Sequence, residues 1–259
     1  MQRFVQGDLV YYQFHQWPGL AHGIFTRQGG ISPEPWASLN MGGNMGDDPA
    51  NVRHNHQRMY QVLNLNAERA CTVWQVHSAD VITATQPDPE QRWLAQADGI
   101  VTDQRDTPLT LRFADCTPLF FYDPVQAVIG IAHAGWRGTV AGVGANTVRK
   151  MVEAYGCKPA NIQAGIGPAI GPDRYQVGEE VVAALQDYFG STEGLIRRDP
   201  ADGTAYFDLW AANRLDLERA GVGQVEVAAI CTAECVDEFF SHRAEKGRTG
   251  RFGAVLSLT

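Results

Sequence analysis

Two histidines and one cysteine have the chemistry and the sequence surroundings of metal ligands. His77 and His133 each follow an apolar run that is typical of a strand, and Cys116 lies between two such runs. A rigid strand can hold the residue at its end while the following loop leaves space for a ligand. Two imidazoles and one thiolate with a fourth position open form a known type of catalytic zinc site. The thiolate disfavours magnesium and calcium, and copper is the alternative metal. For Cys116 alone, the alternative is an inert buried thiol.

Two further segments have features of anion-binding sites. The segment HAGWRGT (133–139) leads into a predicted helix, where backbone N–H groups and Arg137 could receive a phosphate. The alternative is a plain strand-to-helix turn. The segment FFSHRAEKGRTGR (239–251) contains Arg243 and Arg251, and guanidinium groups suit phosphate. Here the alternative is a solvent-exposed turn.

Composition limits the kind of protein that could carry these sites. The chain has 259 residues, with 21 basic and 29 acidic side chains and a net charge of −8. This balance argues against binding to nucleic acid or to an anionic membrane surface. No apolar stretch reaches the roughly 20 residues that span a bilayer, and no signal peptide is evident, so we expect a cytoplasmic protein. Five cysteines at irregular spacing predict free thiols rather than a disulfide framework.

The elements that must position the candidate ligands follow from hydrophobic patterning. Short runs rich in β-branched and aromatic residues predict strands over 71–76, 109–113, 117–122, 127–132, 162–167, 225–230 and 254–258. Several of these runs are apolar throughout, which indicates strands covered on both faces. Helical spacing of apolar residues predicts helices over 50–63, 139–155 and 179–189, and from Asp208, as N-cap, to residue 220. We therefore expect a layered fold of the mixed α/β or α+β class.

Ordered sequence blocks connect this chain to a known family. The blocks WQVHS (74–78), FADCTPLFFYD (113–123) and AHAGWRGT (132–139) resemble the hallmark motifs of the YfiH/YlmD-like family. This family is also known as the laccase-domain or multicopper polyphenol oxidase family and as peptidoglycan editing factor. Further blocks agree in order, namely TRQGG (26–30), SLNMG (38–42), GDDP (46–49), GPAIGPDRYQVG (167–178), DLWAANR (208–214) and FFSHRAEKGRTGR (239–251). The resemblance extends from about residue 20 to the end of the chain.

The resemblance implies a fold, a metal site and a reaction. It implies one α-β-β-α layered domain, which we take to span residues 1–259 as a single metalloenzyme domain. It places the family's zinc ligands on His77, Cys116 and His133. It also implies phosphorolysis of adenosine, inosine and methylthioadenosine to the base and ribose 1-phosphate, together with deamination of adenosine. The expected partners are therefore a purine nucleoside and phosphate.

Roles for individual residues follow as hypotheses. Asp115, next to the cysteine ligand, is the candidate general acid or base for deamination. Arg243 and Arg251 are the main candidates for holding phosphate, with Arg137 and Arg58 as further candidates. Two amides, Asn40 and Gln75, could orient the ribose or the base through hydrogen bonds. The chain departs from the usual family pattern at Ser78 (usually Gly), at Asn55-His56 (Asn-Arg), at Gln176 (Glu) and at Ala244 (Arg). These departures concern anion binding and substrate preference more than the metal ligands.

Two other functions compete with this hypothesis. The first is copper-dependent oxidation of phenols. A multicopper oxidase needs about ten histidines, whereas this chain has seven, so only weak oxidation through adventitious copper fits. The second is editing of peptidoglycan precursors, for which the same pocket could serve. The sequence does not distinguish this last function from nucleoside chemistry.

Overall fold

Two β-sheets packed face to face form the centre of the molecule. The computed structural model describes residues 1–15, 17, 19–86 and 93–259. The strands in chain order are β1 (Gln2–Gln6), β2 (Leu9–Gln13), β3 (Leu20–Phe25), β4 (Val81–Thr83), β5 (Gly99–Thr102), β6 (Leu109–Phe113), β7 (Thr117–Asp123), β8 (Val128–Ala134), β9 (Gln163–Ile166), β10 (Gln176–Val177), β11 (Ile196–Arg198), β12 (Ala205–Phe207), β13 (Gln224–Val227) and β14 (Phe252–Leu258). One central sheet has five strands in the order β1-β2-β3-β14-β6, and the other has six in the order β13-β9-β7-β8-β5-β4. A small third sheet has the order β10-β12-β11.

Helices cover the outer faces of the two central sheets. They are α1 (Pro49–Val62), α2 (Trp136–Val140), α3 (Val143–Tyr155), α4 (Glu179–Phe189) and α5 (Leu209–Arg219), with short 3-10 helices at Ala67–Arg69 and Pro159–Asn161. Helix α1 packs on the five-stranded sheet, and α3 and α5 pack on the six-stranded sheet. The prediction of a mixed α/β fold with α-β-β-α layers in one domain is therefore confirmed. The extent of that domain, residues 1–259, stays a prediction.

The central strands are apolar throughout because they lie between two apolar layers. In β7, Phe120 points between the two sheets, whereas Leu119 and Phe121 pack beneath α3. In β8, Ile131 points between the sheets in the same way and Ala132 points to the helices. All of these side chains are fully buried, and a buried Phe or Ile side chain contributes about 1.5–3 kcal/mol. This double burial confirms the prediction from the unbroken apolar runs.

Helices α1, α4 and α5 lie within a residue or two of their predicted bounds, but the predicted helix over 139–155 is two helices. The chain breaks between α2 and α3, where Gly142 has φ +75°. A Cβ at this position would come within 2.5 Å of the Tyr188 hydroxyl. The apolar spacing continued across the break, so the pattern concealed a backbone turn that only glycine adopts easily.

Two predicted strands differ from the structure. The segment 71–76 forms only isolated bridges, from Cys71 to Leu109 and from Trp74 to Gln96. Side chains bind part of its backbone, since Arg112 donates to the Val73 carbonyl and Asp98 accepts from the Val76 N–H. Strand β13 ends at Val227 instead of continuing to residue 230, and Ala229 has φ +51°, which no strand adopts. Within the described residues, no helix is both long and apolar enough to cross a membrane.

Candidate active site

The three candidate metal ligands meet at one end of the six-stranded sheet. Their ligand atoms all lie within 4.8 Å of one another. His133 is buried near the end of β8, and Cys116 directly precedes β7. His77 lies after the irregular 71–76 segment, with φ +59° and an exposed side chain. The prediction that a strand positions His133 agrees with the structure, but the same prediction for His77 was wrong.

The donor set fits a metal ion that prefers nitrogen and sulfur ligands. Burial opposes ionisation of Cys116, but the positive charge at His133 outweighs this effect and lowers the pKa of the thiol to about 6. Burial likewise opposes protonation of His133, but the Cys116 thiolate and Asp98 raise its pKa to about 9. A thiolate is the form of cysteine that binds metals. The group His77, Cys116 and His133 can therefore hold an ion such as zinc or copper.

Asp98, which the sequence analysis did not single out, lies directly behind the two histidines. Its side chain is completely buried, and the residue directly precedes β5. One carboxylate oxygen is 2.8 Å from His133 Nδ1. Burial acts to raise the pKa of Asp98, but the hydrogen bond and charge of His133 lower it below its ordinary value. No motif marks this residue, because it contacts His133 across 35 positions of sequence.

Four arginines share a cavity with the three candidate ligands. The cavity has a volume of about 510 Å³, and Arg112, Arg137, Arg243 and Arg251 all line it. Within the described part of the chain, none of the four forms an ion pair with a carboxylate. The net charge of the whole chain is −8, so these guanidinium groups form a local region of opposite sign. Such a region attracts a small anion.

Each of these arginines is held in place by neutral groups. Arg112 donates to the carbonyl oxygen of Val73 over 2.7 Å. Arg243 donates to the Gln176 carbonyl over 2.9 Å, Arg251 donates to the Gly250 carbonyl over 2.8 Å, and Arg137 stacks on the Trp136 ring at 4.4 Å. Burial lowers the pKa of Arg112 to about 10 and also lowers the pKa of Arg251. A buried cation without a counter-ion is costly, so an anion that enters the cavity gains strong interactions.

Asp115 lines the same cavity beside the cysteine ligand. It is buried, and its backbone has φ +79°. One carboxylate oxygen accepts a 2.7 Å hydrogen bond from the Thr232 hydroxyl, and the other accepts a 2.6 Å bond from the backbone N–H of Arg243. Asp115 therefore connects the metal-ligand segment to the C-terminal segment that carries two of the arginines.

The two candidate amides differ in position. The Gln75 side chain lines the cavity, but both of its polar atoms bind the backbone of Arg112, with distances of 2.8 and 3.0 Å. Asn40 does not line the cavity. Its side-chain oxygen Oδ1 accepts 2.9 Å hydrogen bonds from the backbone N–H groups of Gly42 and Arg251. Both amides thus hold the cavity wall in this structure, and a direct contact of either with substrate stays a prediction.

The remaining candidate, Arg58, lies away from the cavity. Its guanidinium group forms an ion pair with Asp8 on the outer face of α1. The structure therefore does not bring it together with the other three candidate arginines.

Two tryptophans that the sequence analysis did not assign lie at the cavity. Trp74 and Trp93 line it with ring centroids 4.6 Å apart, and their exposed fractions are 43% and 41%. A backbone bridge between Trp74 and Gln96 joins the two segments, and a sequence pattern does not reveal it.

Comparisons with known proteins agree over nearly the whole chain. Residues 21–259 match the family model described as multi-copper polyphenol oxidoreductase laccase. A protein named purine nucleoside phosphorylase from Deinococcus radiodurans is 40% identical over 243 residues, which cover 93% of this chain and 91% of that protein. The purine nucleoside phosphorylase YlmD of Geobacillus stearothermophilus is 38% identical and covers 92% of this chain and 90% of its own.

Solved structures give the same result for the fold. The crystal structure of YlmD from Geobacillus stearothermophilus superposes with a TM-score of 0.93 at 35% identity, covering 99% of this chain and 98% of that one. The crystal structure of the hypothetical protein YfiH from Bacillus licheniformis has a TM-score of 0.92 at 32% identity, covering 98% and 97% of the two chains.

Proposed function

This chain belongs to the YfiH/YlmD family, and on that premise we propose that it is a metal-dependent purine nucleoside phosphorylase. The observation that carries the proposal is the shared cavity, in which four arginines without carboxylate partners lie beside the group His77, Cys116 and His133. Phosphorolysis of a nucleoside needs a site that holds phosphate beside the sugar, which the arginines would supply, and a metal in the neighbouring group could assist as a Lewis acid. The names of the curated relatives support the same reaction.

Phosphate would be held by the cavity arginines. Arg243 and Arg251 come from the C-terminal segment, Arg137 comes from α2, and Arg112 comes from β6. Their guanidinium groups are held by carbonyl oxygens or an aromatic ring, so little side-chain entropy is lost when phosphate binds. A phosphate oxygen attacks C1′ of the ribose while the bond from C1′ to the base nitrogen breaks. The products are the free purine and ribose 1-phosphate.

The purine base would stack on the exposed tryptophans. Trp74 and Trp93 offer indole faces beside the cavity, and stacking of a base on an aromatic side chain is worth about 1–3 kcal/mol. Stacking does not distinguish adenine from hypoxanthine, which fits a substrate range of adenosine, inosine and methylthioadenosine. The leaving base needs a proton on a ring nitrogen, and Asp115 is our candidate for transferring it.

Zinc would be held by His77, Cys116 and His133, and when bound it would supply a Lewis acid that offsets negative charge in the cavity. The same cavity could deaminate adenosine if water adds at C6 as ammonia leaves, with Asp115 moving the proton from the water to the ammonia. Copper is the alternative metal for this donor set. The nucleoside and phosphate substrates fit the cytoplasmic location predicted from the sequence.

Oxidation of phenols is the competing function suggested by the name of the family model. Apart from the two in the metal group, the histidines have other surroundings. His22 is buried against aromatic rings, His56 contacts the Met41 carbonyl, and His15 pairs with Glu226. His242 lines the cavity but does not join the metal group. A laccase mechanism with several copper ions is therefore not favoured.

Product analysis of adenosine turnover tests the proposed function. Purified, zinc-loaded protein is incubated with adenosine, with and without phosphate. We expect adenine and ribose 1-phosphate only with phosphate, and inosine without it if deamination also occurs. Cys116→Ala should abolish both products, whereas the matched control Cys235→Ala, outside the cavity, should retain them. If the wild-type protein forms no adenine and ribose 1-phosphate in the presence of phosphate, the proposal is overturned and the precursor-editing alternative is favoured.

A further inference from the structure

We propose that Asp98 is the positioning residue of the metal centre, and that its single carboxylate fixes the orientation of both histidine ligands. The inference rests on the proposed metal site and goes beyond it, because Asp98 is not itself one of the grouped ligands. Both oxygens of the carboxylate form hydrogen bonds, one with the His133 ring and the other with the residues on either side of His77. The side chain has no exposed surface, so solvent does not compete for these hydrogen bonds.

On one side, Asp98 holds His133 by two contacts. Its carboxylate oxygen lies 2.8 Å from His133 Nδ1, and its backbone carbonyl accepts a 2.7 Å hydrogen bond from the backbone N–H of His133. With Nδ1 donating to the carboxylate, Nε2 is the ring nitrogen left for a metal. A carboxylate that binds the other ring nitrogen fixes the tautomer and the ring plane of a metal-binding histidine.

On the other side, Asp98 holds the backbone around His77. Its second oxygen accepts hydrogen bonds from the N–H groups of Val76 at 3.1 Å and Ser78 at 2.6 Å, and from the Ser78 hydroxyl at 3.0 Å. These donors flank His77, which has φ +59°. A left-handed conformation costs a residue with a side chain about 1–2 kcal/mol, so it needs external support. Because 71–76 is not a strand, the carboxylate provides that support.

Only a carboxylate satisfies both sides together. Val76 and Ser78 present only donors to Asp98, and because a carboxylate only accepts, the adjacent His133 Nδ1 must donate as well. In Asp98→Asn, the amide NH2 must face either His133 or the two backbone N–H groups. One histidine therefore loses its orientation in either rotamer.

The experiment measures metal affinity by competition of zinc with a chromophoric chelator. We expect Asp98→Asn to weaken zinc binding about 10- to 100-fold relative to wild type. The matched control is Asp216→Asn, since Asp216 is also buried, accepts hydrogen bonds from Tyr188 and Ala145, and lies outside the cavity. That control should keep wild-type zinc affinity even if its stability falls. Thermal unfolding of the metal-free proteins separates folding from affinity.

A second measurement uses the zinc-loaded wild-type protein and does not depend on a variant. Nitrogen-15 NMR of labelled histidines should show His133 with a proton on Nδ1 and the metal on Nε2. Equal zinc affinity of Asp98→Asn and wild type, or metal on Nδ1 of His133, would overturn the role of Asp98 and leave the proposed function intact. Failure of the wild-type protein to bind zinc would instead overturn the metal centre and this inference with it.

Discussion

The cavity and the outer surface use arginine in opposite ways. On the surface, Arg198 pairs with Glu179 and Arg197 pairs with Asp173, at 2.7 and 2.9 Å. In the cavity, Arg112 and Arg251 contact only neutral oxygens among the described residues. Exposed ion pairs contribute about 0–1 kcal/mol, because water already solvates both charges. Burial of Arg112 and Arg251 without a counter-ion opposes folding instead, which indicates that they are present for a ligand.

Replacement of Arg251 should have the largest effect on phosphate binding. Loss of a hydrogen bond from a charged group costs about 1.5–3 kcal/mol, so Arg251→Ala should raise the KM for phosphate about ten- to hundredfold. Steady-state kinetics at varied phosphate measures this change. The surface variant Arg198→Ala is the matched control and should leave the KM unchanged. If Arg251→Ala and Arg198→Ala change the KM for phosphate equally, the cavity arginines do not differ from the surface arginines in phosphate binding.

Phosphate should stabilise the folded protein through the same arginines. At a phosphate concentration of about 100 times Kd, binding adds about 2.7 kcal/mol to the free energy of unfolding. For a chain of this size, each kcal/mol raises Tm by about 2–4 °C. Thermal unfolding with and without phosphate should show this rise, and Arg112→Met should reduce it. An undiminished rise in Arg112→Met would remove Arg112 from the phosphate site.

The aromatic pair should affect the nucleoside and not the phosphate. Trp74→Ala should raise the KM for adenosine about five- to hundredfold, since a stacking contact contributes about 1–3 kcal/mol. Trp74→Phe keeps an aromatic face and should restore most of the affinity. Kinetics at varied adenosine and saturating phosphate measure both variants. If Trp74→Phe is as impaired as Trp74→Ala, stacking is not what Trp74 provides.

Arg58 should show the smallest effect. It pairs with Asp8 on the surface, so Arg58→Ala should change the free energy of unfolding by about 0–1 kcal/mol and leave the KM for phosphate unchanged. Urea unfolding and the same phosphate kinetics measure the two quantities. An increase of the KM for phosphate would instead support Arg58 as a phosphate-binding residue, which was one of the hypotheses from the sequence.

Much of the fold could be predicted because the relevant signals are local. Strands β7, β8 and β14 are continuous apolar runs, and α5 has Asp208 as its N-cap, with a 2.9 Å bond from the Ala211 N–H. Where tertiary contacts replaced local preference, prediction failed. Residues 71–76 have the composition of a strand, but Asp98 accepts from the Val76 N–H and Arg112 donates to the Val73 carbonyl. The Gln75 side chain binds the backbone of Arg112, where a paired strand would bind.

The same distinction between local signals and tertiary contacts applies to the candidate site. The metal group His77, Cys116 and His133 could be chosen from residue type and family motifs, because soft ligands are rare and their chemistry is distinctive. Asp98 and Arg112 could not be chosen, since an aspartate or an arginine is common in any sequence. What makes each of them unusual is burial beside particular partners.

The sequence by itself determined helices α1, α4 and α5, the apolar central strands β7 and β8, and the side chains that can bind a metal, because these properties depend on neighbours within a few positions. Only the tertiary structure decided that Asp98 lies behind both histidines, that four arginines share one cavity, and that Arg58 lies outside it. These relations join residues far apart in the chain. They arise when the two sheets pack and exclude water from charged groups, and that event has no counterpart in a linear pattern.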